Sequence, residues 1–178
     1  MDQPISLETV VGFLLATPLF GGLDAAERGE VVRIMDVRRL QAGEEIFHEG
    51  DAGDAWYVIF EGQANVLKDA VGGPTPISTL GVGACFGEMA ILDGLARSAT
   101  VRAAGPLTIF RFRRERFEDL LNQGSLGAYK LVAAMAKTLS KRQRRLTQQI
   151  SELLDDTATS QAIREQIEEV VERYQVSE

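Results

Sequence analysis

Between Phe86 and Thr100 the chain brings together a carboxylate, Glu88, and a lone guanidinium, Arg97, around two glycines, Gly87 and Gly94. Gly87 can adopt positive φ and carries no Cβ, so an anion can approach its amide closely. The apolar turn Met89 to Leu92 can start a short helix there. The first amides of that turn, Met89 and Ala90 among them, have no intrahelical partners, and the partial positive charge of a helix start favours a phosphate. Gly94 ends the turn and the chain returns through Arg97, whose planar fork matches two phosphate oxygens at once. A carboxylate beside a phosphate repels it, so Glu88 suits a ribose hydroxyl better. Ser98 adds a small hydroxyl next to the Arg, and Ala99 leaves room for close backbone approach. The ligand implied carries sugar and phosphate side by side. Without their flanking pattern, the same glycines would mark only a turn leading into a strand with a surface Arg.

Taken together, Phe86-Gly87-Glu88, Ala90 and Arg97-Ser98-Ala99-Thr100 closely resemble the phosphate-binding cassette of the cyclic nucleotide-binding domain family, the ligand-binding domain of catabolite activators and protein kinase A regulatory subunits. The resemblance implies that Glu88 holds the ribose 2'-hydroxyl, Arg97 holds the cyclic phosphate, and amides at Gly87 and Ala90 complete the cradle. Ala96 stands where many members have Pro, which loosens the loop and leaves the chemistry intact. A second match runs from Ile46 through Gly50-Asp51 and Gly53-Asp54 to Gly62 and resembles the strand–turn–strand before the pocket. Pro18-Leu19-Phe20 is similar to the helical entry of the same family. If the match holds, Val66, Ile77 and Phe86 line the apolar part of the pocket; as plain core residues they would read the same, and the sequence leaves both open. Ser98 after Arg97 matches members that bind cAMP, whereas Thr there goes with cGMP preference.

The elements that must position this stretch follow from composition and periodicity. With 178 residues and 45% hydrophobic content, the chain suits one ordinary domain with an appendage. No apolar run approaches the roughly 20 residues of a membrane span, and the start, with Asp2 and no basic region, is no signal peptide, so a cytoplasmic location is expected. The single cysteine, Cys85, excludes an internal disulfide and a multi-thiolate metal site, and reads as a buried small hydrophobe. The single histidine, His48, has no companion ligand and reads as a strand residue near the surface. A net charge of -7 argues against duplex DNA.

Residues 5 to 16 carry apolar positions at helical spacing and end before Thr17-Pro18; Asp24 can cap a second helix running to about Met35. From Val37 to Arg113 short apolar runs alternate with glycines, the texture of a β-barrel or jelly roll, in which Trp56 to Phe60 is a buried strand, Ile77 to Leu80 pairs back and Val101 to Phe112 closes the barrel with alternating apolar positions. After Gly127 no Gly or Pro follows, so 128–154 reads as one long helix. Val132, Leu139, Leu146 and Leu153 recur every seven residues, a seam that could pair with a second copy, although the companion positions Met135, Arg142 and Gln149 are largely polar and packing on its own barrel is the rival. Lys141, Arg142, Arg144 and Arg145 form a basic patch that reads as a solvated face or a contact with acidic groups. Past a break at Asp155-Asp156-Thr157, Ile163, Ile167, Val170, Val171 and Tyr174 make an apolar stripe on a last helix.

The expectation is therefore an α+β fold: an N-terminal helical segment (1–36), a barrel (37–113) holding the cassette (86–100), and a C-terminal helical region (114–178). The expected function is a cyclic nucleotide sensor, for cAMP before cGMP, that transmits occupancy through its C-terminal helices to a protein partner. A non-binding dimerisation scaffold of the same fold is the alternative. The chain shows no helix-turn-helix after the barrel, no metal cluster, no paired carboxylates and no activated nucleophile, so neither DNA binding nor an enzyme is expected.

Overall fold

The structure is a computed structural model that describes residues 5–70 and 72–155. One compact unit runs to Met135 and a second begins at Ala136. The break and terminal helix expected after Asp155 lie outside the described residues.

Helix α1 (Leu7–Ala16) starts at Ser6, whose hydroxyl accepts from the Thr9 amide at 3.1 Å. A 3-10 turn (Pro18–Phe20) leads to α2 (Ala25–Arg33). There Asp24 accepts from the Glu27 amide at 2.9 Å and Glu27 accepts from the Asp24 amide at 2.7 Å, a reciprocal box that fixes the helix start. The helix stops short of the expected Met35 because that residue already begins β1 (Met35–Leu40) and pairs with Phe112.

Strands β2 (Glu45–Phe47), β3 (Ala55–Glu61), β4 (Ala64–Lys68), β5 (Thr75–Leu80), β6 (Cys85–Phe86), β7 (Thr100–Ala103) and β8 (Leu107–Arg113) complete two four-stranded sheets, ordered β1-β8-β3-β6 and β2-β7-β4-β5. The paired strands are antiparallel, and the fold is an α+β jelly roll. The short helix α3 (Glu88–Asp93) sits between β6 and β7, and α4 (Arg114–Asn122) and α5 (Leu126–Asp155) follow β8.

Successive residues of a strand point to opposite faces, and the two faces of the first sheet feed two cores. Tyr57, Ile59, Leu107 and Ile109 turn inward with Ile46, Phe86 and Val101, which both sheets share. Trp56, Val58, Phe110 and Phe112 turn outward against Leu14, Phe20, Val31, Phe117, Leu131 and Met135 of the helices. The central strands are therefore buried on both faces: Ala55 through Ile59 and Leu107 through Phe110 are continuous buried runs, where alternation had been expected for the closing strand. At the sheet edge β5 is exposed.

The long-helix expectation is met by α5. Val132 and Met135 pack into the outer core, so the start of the seven-residue seam is spent on its own barrel. Further along, Leu146 and Ile150 are exposed, as are Lys141, Arg144 and Arg145 of the basic patch. Among the described residues no helix is long and apolar enough to cross a membrane.

Candidate functional site

Strand β6 pairs with β3 through Tyr57 opposite Phe86 and Val58 opposite Cys85, and delivers the chain to Gly87 at the mouth of the inner core. Gly87 adopts φ 72 and ψ 4, the left-handed region, as the residue before α3, and no side chain caps the helix there. Glycine is needed on a second count. A Cβ at this position would lie 2.8 Å from Nη1 of Arg97, 3.3 Å from the Phe47 ring and 3.4 Å from the Ala55 carbonyl. At the other end Gly94, φ 74, closes α3 with its amide on the Ala90 carbonyl.

Arg97 is the centre of the site. Its side chain is 1% exposed, and the chain around it is held at both ends: its amide donates to the Asp51 carbonyl at 2.8 Å, and its carbonyl accepts from the Gly50 amide at 2.9 Å. Nη1 donates to the Gly87 carbonyl at 2.8 Å; Nη2 donates to the Ala55 carbonyl at 2.7 Å and to Oδ1 of Asp54 at 3.0 Å. The guanidinium carbon lies 4.2 Å from the centre of the Phe47 ring, a cation–π contact that is stronger where water is excluded. Phe47, Tyr57 and Phe86 form one aromatic wall, with Tyr57 stacked on Phe86 at 5.2 Å. Burial, reinforced by the Asp54 charge, pushes the Tyr57 phenol above its usual range, so it stays neutral. Among the described residues the buried Nε of Arg97 has no hydrogen-bond partner. A buried N–H left without an acceptor is costly, and an oxyanion is the group that fits it.

The other expected residues fall into two sets. Glu88, Ala90 and Ala99 are buried beside Gly87 and Arg97, Phe86 is buried in the inner core, and Val66 is half-buried against it. Met89 and Ser98 are exposed on the cassette, with Oγ of Ser98 3.9 Å from Sδ of Met89. Ile77 is 62% exposed on β5, so its reading as a core residue is overturned: an edge strand gives it nothing to pack under.

Several residues of the site escape a sequence reading. Asp54, Phe47 and Tyr57 reach Arg97 from about forty to fifty positions away. Lys68 donates from Nζ to the Ser98 carbonyl at 3.0 Å and pairs with Glu49. The Glu49 amide in turn donates to Oγ1 of Thr100 at 2.9 Å. The Lys68 ammonium, helped by the Asp69 amide, holds the Glu49 carboxyl below its usual range. Arg114 ties the back of the cassette down, donating from Nε to the Gly53 carbonyl at 2.6 Å and from Nη2 to the Ala90 carbonyl. Among the described residues no group of His, Cys, Asp or Glu is placed to hold a metal ion.

A jelly roll whose inner aromatic residues pack against a buried arginine beside an uncapped short helix has the make-up of a small-ligand-binding module. Residues 37–124 match the cyclic nucleotide-binding domain, and this stretch of the chain belongs to that family. A cAMP-dependent protein kinase regulatory subunit from Mycosarcoma maydis is 39% identical over 101 residues, 57% of this chain and 19% of that protein. A cyclic AMP receptor protein from Thermus thermophilus is 32% identical over 124 residues, 69% of this chain and 57% of that protein. Among solved structures, a cyclic nucleotide-binding domain from Methylobacillus flagellatus matches with a TM-score of 0.71 at 27% identity over 82% of each chain. The chain thus spans between a fifth and just over half of the length of these curated relatives.

Proposed function

We propose that this chain is a regulatory sensor that binds a cyclic nucleotide, cAMP in preference to cGMP, and carries no catalytic activity of its own. The observation that carries the reading is Arg97: a fully buried guanidinium with an unpaired Nε, set against the uncapped start of α3 at Gly87 and walled by Phe47, Tyr57 and Phe86. The cyclic phosphate is placed on Arg97 and on the amides from Gly87 to Ala90, with the ribose 2'-hydroxyl on Glu88. Val66, Phe86 and the exposed Ile77 line the apolar side, and Ser98 and Ala99 flank the phosphate. The names of the kinase regulatory subunit and of the cyclic AMP receptor support cAMP as the first ligand to test, and Ser98 points the same way. Occupancy would be passed on by the helical region 114–178 to a protein partner or a second copy in the cytoplasm, for which the exposed Leu146 and Ile150 of α5 offer apolar surface. A ligand can shift such an equilibrium only by its differential affinity for the two states.

The test is calorimetric titration of nucleotide-stripped protein with cAMP, cGMP and 5'-AMP under one set of conditions. Tight cAMP binding, weaker cGMP and poor 5'-AMP are expected. No heat and no thermal shift with any of them would leave the non-binding scaffold reading in its place.

A further inference from the structure

Strand β8 runs straight into α4, and four arginines, Arg111, Arg113, Arg114 and Arg116, fall within six residues of a chain with net charge -7. Three of them, with Asp54 and Glu115, line an open cleft of about 350 Å³, a volume at the lower end for small-ligand sites. Arg111 stands opposite Tyr57 in the β3–β8 ladder, so the cleft lies at the end of the strand whose inner face forms the aromatic wall.

Donors outnumber acceptors there. Arg111 uses one nitrogen, Nη2, on Oδ2 of Asp54 at 2.8 Å, and among the described residues its buried Nε has no partner. Half-exposed Arg113 uses only Nε, on Asp36 at 2.9 Å, and among the described residues its two terminal nitrogens make no hydrogen bond. Arg114 is committed to Gly53, Ala90 and Glu118, and Arg116 reaches Asp36 at 3.4 Å. The first turn of α4 has no side-chain cap. Within the cleft three guanidinium groups face two carboxylates, and one of those, Asp54, is shared with Arg97.

The geometry points to a second oxyanion site: we propose that this cleft binds a phosphomonoester dianion through Arg111 and Arg113. Two planar forks meeting at one opening match the divergent oxygens of a phosphate better than a single carboxylate, and the cleft leaves room for the group that carries it. A consequence follows for the cassette, and this part rests on the nucleotide reading. Asp54 bridges the two sites, Oδ1 to Arg97 at 3.0 Å and Oδ2 to Arg111 at 2.8 Å. An oxyanion that takes Arg111 leaves Asp54 wholly to Arg97 and fixes that guanidinium in its inward position. A nucleotide phosphate that draws on Arg97 leaves Asp54 wholly to Arg111. The two ligands therefore oppose each other, and reciprocally.

Nucleotide-stripped full chain is titrated, at constant ionic strength set with chloride, with inorganic phosphate and with a capped tripeptide carrying phosphoserine. Saturable binding is expected, weakened about tenfold or more in Arg113→Gln and in Arg111→Gln, roughly the loss of one charge-assisted hydrogen bond. Arg113 is exposed, so its variant keeps the fold, which a thermal melt checks. Tighter binding of the peptide than of inorganic phosphate identifies an attached phosphate as the occupant; equal binding identifies the free ion. No saturable binding, or unchanged affinity in both variants, overturns the site. Saturating tripeptide should weaken cAMP binding severalfold, and undiminished cAMP affinity overturns the coupling. If cAMP fails to bind while the tripeptide binds through Arg113, the cleft stands and the sensor reading falls.

Discussion

Replacing Gly87 with alanine adds one methyl group where two independent constraints meet. The first is local: at φ 72 any L side chain is strained, a cost of roughly 1–2 kcal/mol. For a domain of this size that lowers the melting temperature by about 2–8 °C. The second is specific to the site, because the new carbon would lie 2.8 Å from Nη1 of Arg97 with the Phe47 ring at 3.3 Å behind it. The guanidinium cannot swing aside freely while Ala55 and Asp54 hold its other nitrogen. Displacing it forfeits one charge-assisted bond to the ligand, about 1.5–3 kcal/mol, or roughly ten- to a hundredfold in Kd. Gly43 separates the two effects: its φ is 84, yet a Cβ there meets nothing within 4 Å. Gly43→Ala should lose stability as Gly87→Ala does and keep nucleotide affinity. Both variants are followed by calorimetric melting and by cAMP titration. Wild-type affinity in Gly87→Ala, or an equal loss of affinity in Gly43→Ala, would refute the claim that Gly87 is there to make room for Arg97.

Arg97→Ala should abolish measurable cAMP binding, and Arg97→Lys should not rescue it, because an ammonium has three donors and no fork, so with Gly87, Ala55 and Asp54 as acceptors it has none left for a phosphate; titration decides both. Glu88→Ala should weaken binding without abolishing it, with the smallest loss for a 2'-deoxy ligand. Gly53→Ala is a purely steric test, since its Cβ would meet Cβ of Ala90 at 2.4 Å; overpacking of this kind costs typically about 1–3 kcal/mol in a denaturant melt. Lys68→Met should cost stability in a pH-dependent way. The Glu49 carboxyl is held below its ordinary value of 4.5, so the pair's contribution is fully present above that pH and is lost as pH falls through the lowered value. Melts of wild type and variant should therefore begin to converge below about pH 4.5 and meet once the pH has passed below the lowered value, and a gap that survives that acidification would show that Lys68 acts through packing alone.

The site was legible in sequence where its parts are consecutive. Gly87, Glu88 and Arg97 lie within eleven positions, and a glycine that must take positive φ announces itself by type. Asp24 was equally readable as a helix cap, and the Glu27 that completes its capping box stands only three positions further on. Asp54, Phe47 and Tyr57 were not, because what brings them to Arg97 is the antiparallel register of β3 on β6 and β8 in one sheet and of β2 on β7 in the other, and register is a property of pairs of strands. Ile77 shows the same limit from the other side: an Ile in a strand reads as apolar lining or core, and only the edge position of β5 leaves it exposed. The seam of α5 was ambiguous for a physical reason, as the seven-residue spacing that serves a second helix also serves a sheet face, and Val132 and Met135 take the latter.

Arg97 already has acceptors from its own chain, and that bears on how a sensor of this kind could work. A guanidinium left alone in the interior would be prohibitively costly; here two carbonyls, one half-exposed carboxylate and an aromatic face hold it in place. A phosphate must therefore compete with Asp54 for Nη2, and only the buried Nε is gained outright. The net affinity is then a difference between two states of one side chain, a gain at Nε set against a loss at Asp54, the condition under which a modest change at Asp54 moves the equilibrium. Asp54→Asn tests this directly: it keeps the shape and removes the competing charge. Tighter cAMP binding in that variant would show that Asp54 opposes the ligand, whereas weaker binding would show that it instead aims the guanidinium at it.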